Sequence, residues 1–263
     1  MSIYTLGIDV GSTTSKCVIL EDGISIVGKA LIPCGTGSSG PKEAVKKAME
    51  EAKLLPEQIA ATVSTGYGRR TVNLADWDMS ELSCHAKGAS FIFPGVRTVI
   101  DIGGQDIKVL GVENGIMTTF QMNDKCAAGT GRFLDVMAKV LNVDVSQMDE
   151  LAATSTKIVQ ISSTCTVFAE SEVISQLSNG EAACDIAGGI HRSVASKVIG
   201  LAHRVGVKEP VAMTGGVSQN SGIVQALEEG LNVSIATDAL SQYAGALGAA
   251  VFAWQKVQKQ ANG

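Results

Sequence analysis

A short segment occurs twice in this chain, and it limits the fold more than any other feature. Asp9-Val10-Gly11-Ser12 ends one strand-like run that begins at Ile3, and Asp101-Ile102-Gly103-Gly104 ends another that begins at Thr98. Each leads into a second strand-like run, Cys17 to Leu20 and Ile107 to Leu110. In the first copy Gly11 to Lys16 reads as the turn between the strands. Asp22-Gly23 and Glu113-Asn114-Gly115 then signal the next tight turns. A repeated strand–Asp–x–Gly–strand hairpin predicts two related domains facing one another. Pro94-Gly95 suits the boundary, giving residues 1–95 and 96–245, with a C-terminal helix over about 246–260 packing back on the first domain.

The remaining pattern is α/β. In the first half, Pro41 to Lys53 has helical periodicity, Ile59 to Thr65 is strand-like, and Ser80 to Gly88 belongs to a helix. Helices dominate the second half: Gly129–Leu141, Thr166–Leu177, Asp185–Val205, Ser221–Glu229 and Ala244–Gln258. One strand, Pro210 to Met213, lies among them and ends in Thr214-Gly215-Gly216.

Composition excludes several function classes. With 263 residues the chain is long enough for real cores, and 45% hydrophobic against 18% charged residues is ordinary for a globular protein. A formal charge of −5 offers no basic footprint for nucleic acid. No apolar run is long enough to span a bilayer. Met1-Ser2-Ile3-Tyr4-Thr5 lacks a basic leader region and enters a strand pattern at once, so a cytoplasmic protein is expected. Six cysteines, at 17, 34, 84, 126, 165 and 184, form no C-x-x-C pair. Without a secretory signal they are expected as thiols, most of them buried, and not as disulfides.

A single glycine-rich turn is no more than a hairpin. Here three features coincide. Gly11 and Gly103-Gly104 let backbone N–H groups approach an anion. Ser12, Thr13, Thr14 and Ser15 add hydroxyls, and Lys16 adds charge. Asp9 and Asp101 stand at strand ends beside these loops, where carboxylates would hold Mg2+ or its waters. The later Gly215-Gly216 turn, followed by Asn220, suits an adenine or ribose, and Gln242, ahead of Gly245, is a further candidate for the nucleotide site. The set resembles the acetate kinase/sugar kinase/Hsp70/actin superfamily, an actin-like ATPase fold of two duplicated domains with a nucleotide cleft. No G-x-x-x-x-G-K-[ST] sequence is present, so a P-loop is excluded.

Cys126 and Cys165 each precede a predicted helix. Helix N-termini carry unsatisfied N–H groups and partial positive charge, which favour a thiolate or an anionic cluster. Ser162, Ser163 and Thr164 supply capping groups before the second helix. On spacing alone, two structural thiols are the stronger reading. Two thiolates are also half of the four that a cysteine-ligated iron–sulfur cluster takes.

Longer motifs decide between these readings. Asp124-Lys-Cys126-Ala-Ala-Gly-Thr-Gly-Arg132-Phe-Leu-Asp135 and Ser162-Ser-Thr-Cys165-Thr-Val-Phe-Ala-Glu170-Ser-Glu172 resemble signatures of the 2-hydroxyacyl-CoA dehydratase activators, in the BadF/BadG/BcrA/BcrD-like ATPase family. So do Ser80-Glu-Leu-Ser-Cys84-His85-Ala, Asp101-Ile-Gly-Gly-Gln105-Asp106, Gly189-Ile-His191-Arg192-Ser-Val-Ala and Met213-Thr-Gly-Gly216. The resemblance implies a homodimer sharing one 4Fe-4S cluster held by Cys126 and Cys165 of both chains. It implies ATP/ADP and Mg2+ in the cleft, with hydrolysis driving one electron to a 2-hydroxyacyl-CoA dehydratase (component D) and a ferredoxin or flavodoxin as reductant. Asp9, Asp101 and Gln105 would then serve hydrolysis, and Cys17, Cys34, Cys84 and Cys184 would be structural. The competing readings are a small-molecule kinase, an ATPase subunit of a benzoyl-CoA reductase-like system, and a nucleotide sensor whose cysteines bind nothing.

Among weaker features, Glu81 and His85 share a helix face. His191, Arg192, Lys197, His203 and Arg204 form a docking face or, more simply, a solvated one. Trp77 and Trp254 are packing residues.

Overall fold

The computed structural model describes residues 2–157, 159–162 and 165–261. The chain divides into two compact units, Met1–Val96 with Val112–Thr118 and Leu240–Gly263, and Arg97–Gly111 with Thr119–Ala239.

The first unit is built on β1 (Tyr4–Val10), β2 (Ser15–Glu21), β3 (Ser25–Ile32), α1 (Gly40–Ala52), β4 (Ile59–Thr65), β5 (Trp77–Asp78) and α2 (Glu81–Ile92). Its sheet runs β3-β2-β1-β4-β5. The first three strands are antiparallel, and β4 and β5 continue parallel to β1. The second unit is built on β6 (Thr98–Ile102), most of β7 (Ile107–Glu113) and β8 (Ile116–Asn123), α3 (Gly131–Val140), α4 (Met148–Ala153), α5 (Thr166–Ser178), α6 (Ala183–Val205), β9 (Val211–Thr214), α7 (Ser221–Leu231) and β10 (Ile235–Ala236). Its sheet runs β8-β7-β6-β9-β10, the same order of neighbours, with β6–β7 antiparallel and β6–β9 parallel. The chain ends in α8 (Ala244–Ala261), which packs in the first unit.

The duplicated sheets follow from duplicated local signals. Asp22-Gly23 and Asn114-Gly115 connect β2 to β3 and β7 to β8, and all four residues have positive φ, between 51° and 73°. Such turns match the twist of a hairpin, and Asp, Asn and Gly tolerate them at least cost. The strands are apolar on both faces because helices cover both. In β2, Cys17 and Ile19 face the core shared with Ala44 and Ala48 of α1, whereas Val18 and Leu20 pack on Ala246, Leu247 and Ala250 of α8. Alternation along the strand assigns one set to each side. Helices α2 and α8 meet backbone to backbone. A Cβ on Gly248 would lie 1.9 Å from the Cys84 carbonyl oxygen, and one on Gly88 1.8 Å from that of Ala244. In the second unit Ile100, Ile102, Ile107 and Val109 pack against Phe133, Met137, Ile190 and Val194 from α3 and α6.

Two expected boundaries move. Ser15 and Lys16 are strand residues, not turn residues, because the Gly11 N–H bonds the Thr14 carbonyl at 2.9 Å and closes the loop there. Helix α3 opens at Gly131 and not at the expected Gly129; Thr130 is its N-cap, and Ala127–Thr130 separate it from Cys126. Strand β8 escaped the sequence reading because it is largely exposed and lacks a buried apolar face.

Candidate functional site

In the first unit the polar centre is Asp9, 3% exposed at the end of β1. Antiparallel pairing sets it opposite Lys16 of β2, whose ammonium lies 3.8 Å from Oδ2. Oδ1 is buried and has no hydrogen-bond partner. An unpaired buried carboxylate oxygen is costly unless a ligand, water or cation completes it, so Asp9 fits a divalent ion or its water. Parallel pairing sets Thr65, the last residue of β4, on the other side of Asp9. The loop that leaves β4 bends back at Gly66, φ +84°, where a Cβ would stand 2.4 Å from Oδ1. Gly245, near the start of α8, has its own Cβ position 2.8 Å from Oδ2, which brings the Gln242 segment alongside. Ser12, Thr13 and Thr14 are half-buried on the Gly11 turn. Ser15 is buried and donates its hydroxyl to the Cys34 carbonyl at 2.7 Å, so it serves the loop's own structure and not a phosphate.

In the second unit Asp101 of β6 is placed by the same registers, opposite Lys108 of β7 and beside Thr214 of β9. Its surroundings differ. Thr214 donates its hydroxyl to Oδ1 at 2.7 Å, and the buried Lys108 ammonium lies 3.3 Å from Oδ2 and 2.7 Å from Asp106. Asp9 and Asp101, both expected beside Mg2+ or its waters, therefore stand in the same register with different hydrogen-bond partners. Gly103 and Gly104 are half-exposed beside the exposed Gln105. Gly215, again at φ +84°, turns the chain out of β9 within 3.1 Å (Cβ position) of Asp101 Oδ1, and nothing lies within 4 Å of the Cβ position at Gly216. Beside this turn is an open pocket of about 680 Å³ lined by Ser218, Gln219, Val224, Glu228, Thr237 and Asp238. A groove of that size beside a bare glycine suits a nucleoside. Asn220 is turned away from that role: its Oδ1 caps α7 through the Ile223 N–H at 2.8 Å, and Nδ2 lies 3.4 Å from His191 Nε2.

Cys165 is the N-cap residue of α5, in extended conformation, and its side chain makes no capping hydrogen bond. Cys126 lies in the turn before α3, where the Asn123 side chain donates to its carbonyl at 2.9 Å. Both cysteines are half-buried. Among the described residues no group of three His, Cys, Asp or Glu side chains is placed to hold a metal ion, and Cys126 and Cys165 supply two thiols per chain. That donor set fits half of a four-cysteine cluster. Of the capping groups expected before α5, Ser163 and Thr164 lie outside the described residues, and the Ser162 N–H donates to Glu172 at 2.7 Å. The other thiols divide. Burial pushes Cys17 up and Cys84 up to about 12, which leaves both inert, as expected. Cys34 is exposed and Cys184 half-buried, against the expectation of buried thiols.

The sequence reading passed over the Gly66-Tyr67-Gly68 loop. Its signal was position: β4 is parallel to β1, and ligands in such sheets sit at the carboxyl ends of parallel strands. His191 also departs from the expected docking face. It is buried 3.9 Å from Asp149, and burial lowers its pKa more than that carboxylate raises it. Arg192, His203 and Arg204 on the same helix are exposed, and Lys197 is half-buried. Glu81 and His85 do share a face, 3.9 Å apart. No described helix is long and apolar enough to cross a membrane.

A model of the BadF/BadG/BcrA/BcrD ATPase family matches residues 6–253. The (R)-2-hydroxyglutaryl-CoA dehydratase activating ATPase of Acidaminococcus fermentans is 66% identical over 260 residues, 98% of this chain and 100% of that one. The crystal structure of component A of that organism's (R)-2-hydroxyglutaryl-CoA dehydratase matches with a TM-score of 0.95 over 98% and 100% of the two chains. The 2-hydroxyisocaproyl-CoA dehydratase activator of Clostridium difficile, solved with bound ADPNP, matches at 0.95 with 51% identity, covering 99% of this chain and 97% of that one. A ROK family glucokinase from Streptomyces griseus matches at 0.60 with 15% identity over 96% and 99% of the chains, which shows the fold alone. The fold is the duplicated actin-like ATPase fold.

Proposed function

Because the chain belongs to the BadF/BadG/BcrA/BcrD ATPase family, we propose that it hydrolyses ATP to activate a 2-hydroxyacyl-CoA dehydratase by passing it one electron. The observation that carries this reading is full-length identity of 66% to a chain named as such an activating ATPase. In this reading the Gly11–Thr14 and Gly103-Gly104 turns bind the phosphates through backbone N–H groups, with Lys16 as the nearby cation. The Gly215-Gly216 turn and the groove beside Gln219 take the adenosine, and Gln242 contributes near Asp9. Asp9 holds Mg2+ or its water through the unpartnered Oδ1, Asp101 adds fixed charge, and Gln105 orients the attacking water. The work of these groups is positioning and charge stabilisation, as phosphoryl transfer requires.

Cys126 and Cys165 of two copies would hold one 4Fe-4S cluster, which when bound supplies a one-electron donor of low potential. Two features support a shared site. Each chain offers two half-buried thiols, and a two-fold axis doubles whatever one copy presents. Beside Cys165, Val167 and Phe168 are 63% and 67% exposed, an apolar pair suited to burial against a second copy. A ferredoxin or flavodoxin serves as reductant, and the reading expects a cytoplasmic homodimer.

The test is anaerobic purification followed by ATP-dependent activation of candidate dehydratases. We expect a brown protein with about two irons per chain, one four-cysteine cluster being shared by two chains. We expect Cys165→Ala to lose both iron and activation. A colourless, iron-free preparation that phosphorylates a metabolite would point to the kinase reading.

A further inference from the structure

One buried hydroxyl joins the Gly103-Gly104 loop to the turn that carries Cys126, and it has one proton for two acceptors. Thr130 Oγ1 lies 3.0 Å from the Gly104 carbonyl oxygen and 2.6 Å from that of Ala127, the residue after Cys126. The side chain is fully buried. Around it the backbone is tied the same way. The Gly131 N–H donates to the Gly103 carbonyl and the Arg132 N–H to the Gly104 carbonyl, both at 2.9 Å. The first N–H groups of a helix usually face solvent, a cap or an anion. Here the opening of α3 is fastened to the Gly103-Gly104 loop, the proposed phosphate site.

Peptide planarity makes that fastening responsive. The Gly103 carbonyl shares a rigid peptide plane with the Gly104 N–H, and the Gly104 carbonyl shares one with the Gln105 N–H. An anion that draws these N–H groups toward itself therefore turns the two carbonyls that α3 and Thr130 rest on. The backbone can follow, since each carbonyl also keeps an N–H partner: Arg132 for Gly104, and Thr130 itself for Ala127 at 3.0 Å. The Thr130 proton is the element that has two arrangements.

We propose that Thr130 is a positioning residue that sets the backbone at Cys126 by the state of the phosphate loop, its hydroxyl donating to Gly104 in one state and to Ala127 in the other. The inference rests on the reading that Gly103-Gly104 binds nucleotide phosphate. It adds a local link inside one unit, independent of any movement between units.

Hydrogen exchange measured by mass spectrometry on the full-length, anaerobically purified protein tests it, with Mg-ADP as the probe and ADP affinity measured in parallel. The wild type is expected to change its exchange over residues 124–132 when ADP binds. Thr130→Val, which keeps shape and both carbonyls' backbone partners, is expected to bind ADP and lose that change. Thr130→Ser, which restores the hydroxyl, is expected to regain it. A wild-type response in Thr130→Val, no recovery in Thr130→Ser, or a wild type that binds ADP without any change over 124–132 overturns the proposal. A wild type that binds no ADP is seen directly in the titration; it sinks the nucleotide reading and takes this proposal with it.

Discussion

Asp9 and Asp101 occupy the same place in two copies of one sheet, yet their surroundings are opposite. Each ends the central strand, faces a lysine across an antiparallel pair, and has a threonine-glycine corner on the parallel side. At Asp101 the threonine hydroxyl points inward to Oδ1, and the lysine is drawn in by a second carboxylate, Asp106. At Asp9 the matching hydroxyl, Thr65, donates instead to the Met79 carbonyl at 3.2 Å, and among the described residues no second carboxylate joins Lys16 and Oδ1 has no hydrogen-bond partner. Register repeats the scaffold, and a few side chains decide which copy keeps an oxygen for a ligand. The difference predicts a division of labour: Asp9 meets the metal ion or water, and Asp101 is a charge held in place by Thr214 and Lys108.

The largest effect is expected from Asp9→Asn. Loss of a group that positions or deprotonates water costs about 10²–10⁴-fold in rate, so steady-state ATP hydrolysis should fall into that range, with a higher Mg2+ requirement. Asp101→Asn should cost less in rate and more in thermal stability, because it weakens the buried contacts that Thr214 and Lys108 make with the carboxylate. Equal rate losses in the two variants, with unchanged Mg2+ dependence, would break the comparison.

Stability separates the lysines. Lys108 is 1% exposed between two carboxylates. Removing one partner of such a buried set costs about 3–5 kcal/mol, so Lys108→Met should lower the unfolding midpoint in urea sharply. Lys16, 13% exposed and 3.8 Å from its single carboxylate partner, keeps more water and a longer contact, so Lys16→Met should lower the midpoint less than Lys108→Met. Its loss should appear in the KM for ATP instead. A large stability loss at Lys16 would mean that the Asp9 pair is as closed as the Asp101 one.

The glycine corners sharpen the point. Gly66 and Gly215 share φ +84°, so alanine at either is strained by about 1–3 kcal/mol. Gly66→Ala has a further consequence, since its methyl would press on Asp9 Oδ1 from 2.4 Å. At Gly215 the nearest atom is the Ile102 carbonyl oxygen at 2.3 Å. Comparable destabilisation is expected from both, with the loss of Mg2+-dependent hydrolysis steeper in Gly66→Ala.

The duplication was legible because it rests on short-range signals. Asp22-Gly23 and Asn114-Gly115 name their turns, and β4 was read over its observed span, Ile59–Thr65. The family was legible through the motifs that flank Cys126 and Cys165 and not through their spacing, which alone favoured structural thiols. What stayed hidden depends on partners distant in sequence. Nothing local to Asp9 or Asp101 says which oxygen a threonine on another strand will reach. Asn220 looked like a ligand residue and is occupied with capping α7. The helix after Cys126 reads from Gly129, but the tight turn through Ala127–Thr130, closed by the Thr130 N–H on the Ala127 carbonyl, holds its start back to Gly131.

The smallest effect expected is the most direct test of why the two carboxylates differ. Thr214→Val removes the hydroxyl that occupies Asp101 Oδ1 and leaves the fold's shape alone. A buried hydrogen bond of this kind is worth about 1–3 kcal/mol when the acceptor is charged, so the variant should be modestly less stable. It should also take from Asp101 Oδ1 the hydroxyl donor that Asp9 Oδ1 lacks. If that oxygen is what recruits the ion, Thr214→Val should bind a second Mn2+ per chain in a paramagnetic titration, while Thr65→Val leaves the stoichiometry unchanged. A stoichiometry that stays the same in Thr214→Val would show that the Lys108 ammonium alone keeps a cation away from Asp101, and the difference between the copies would then lie in Asp106 and not in the threonine.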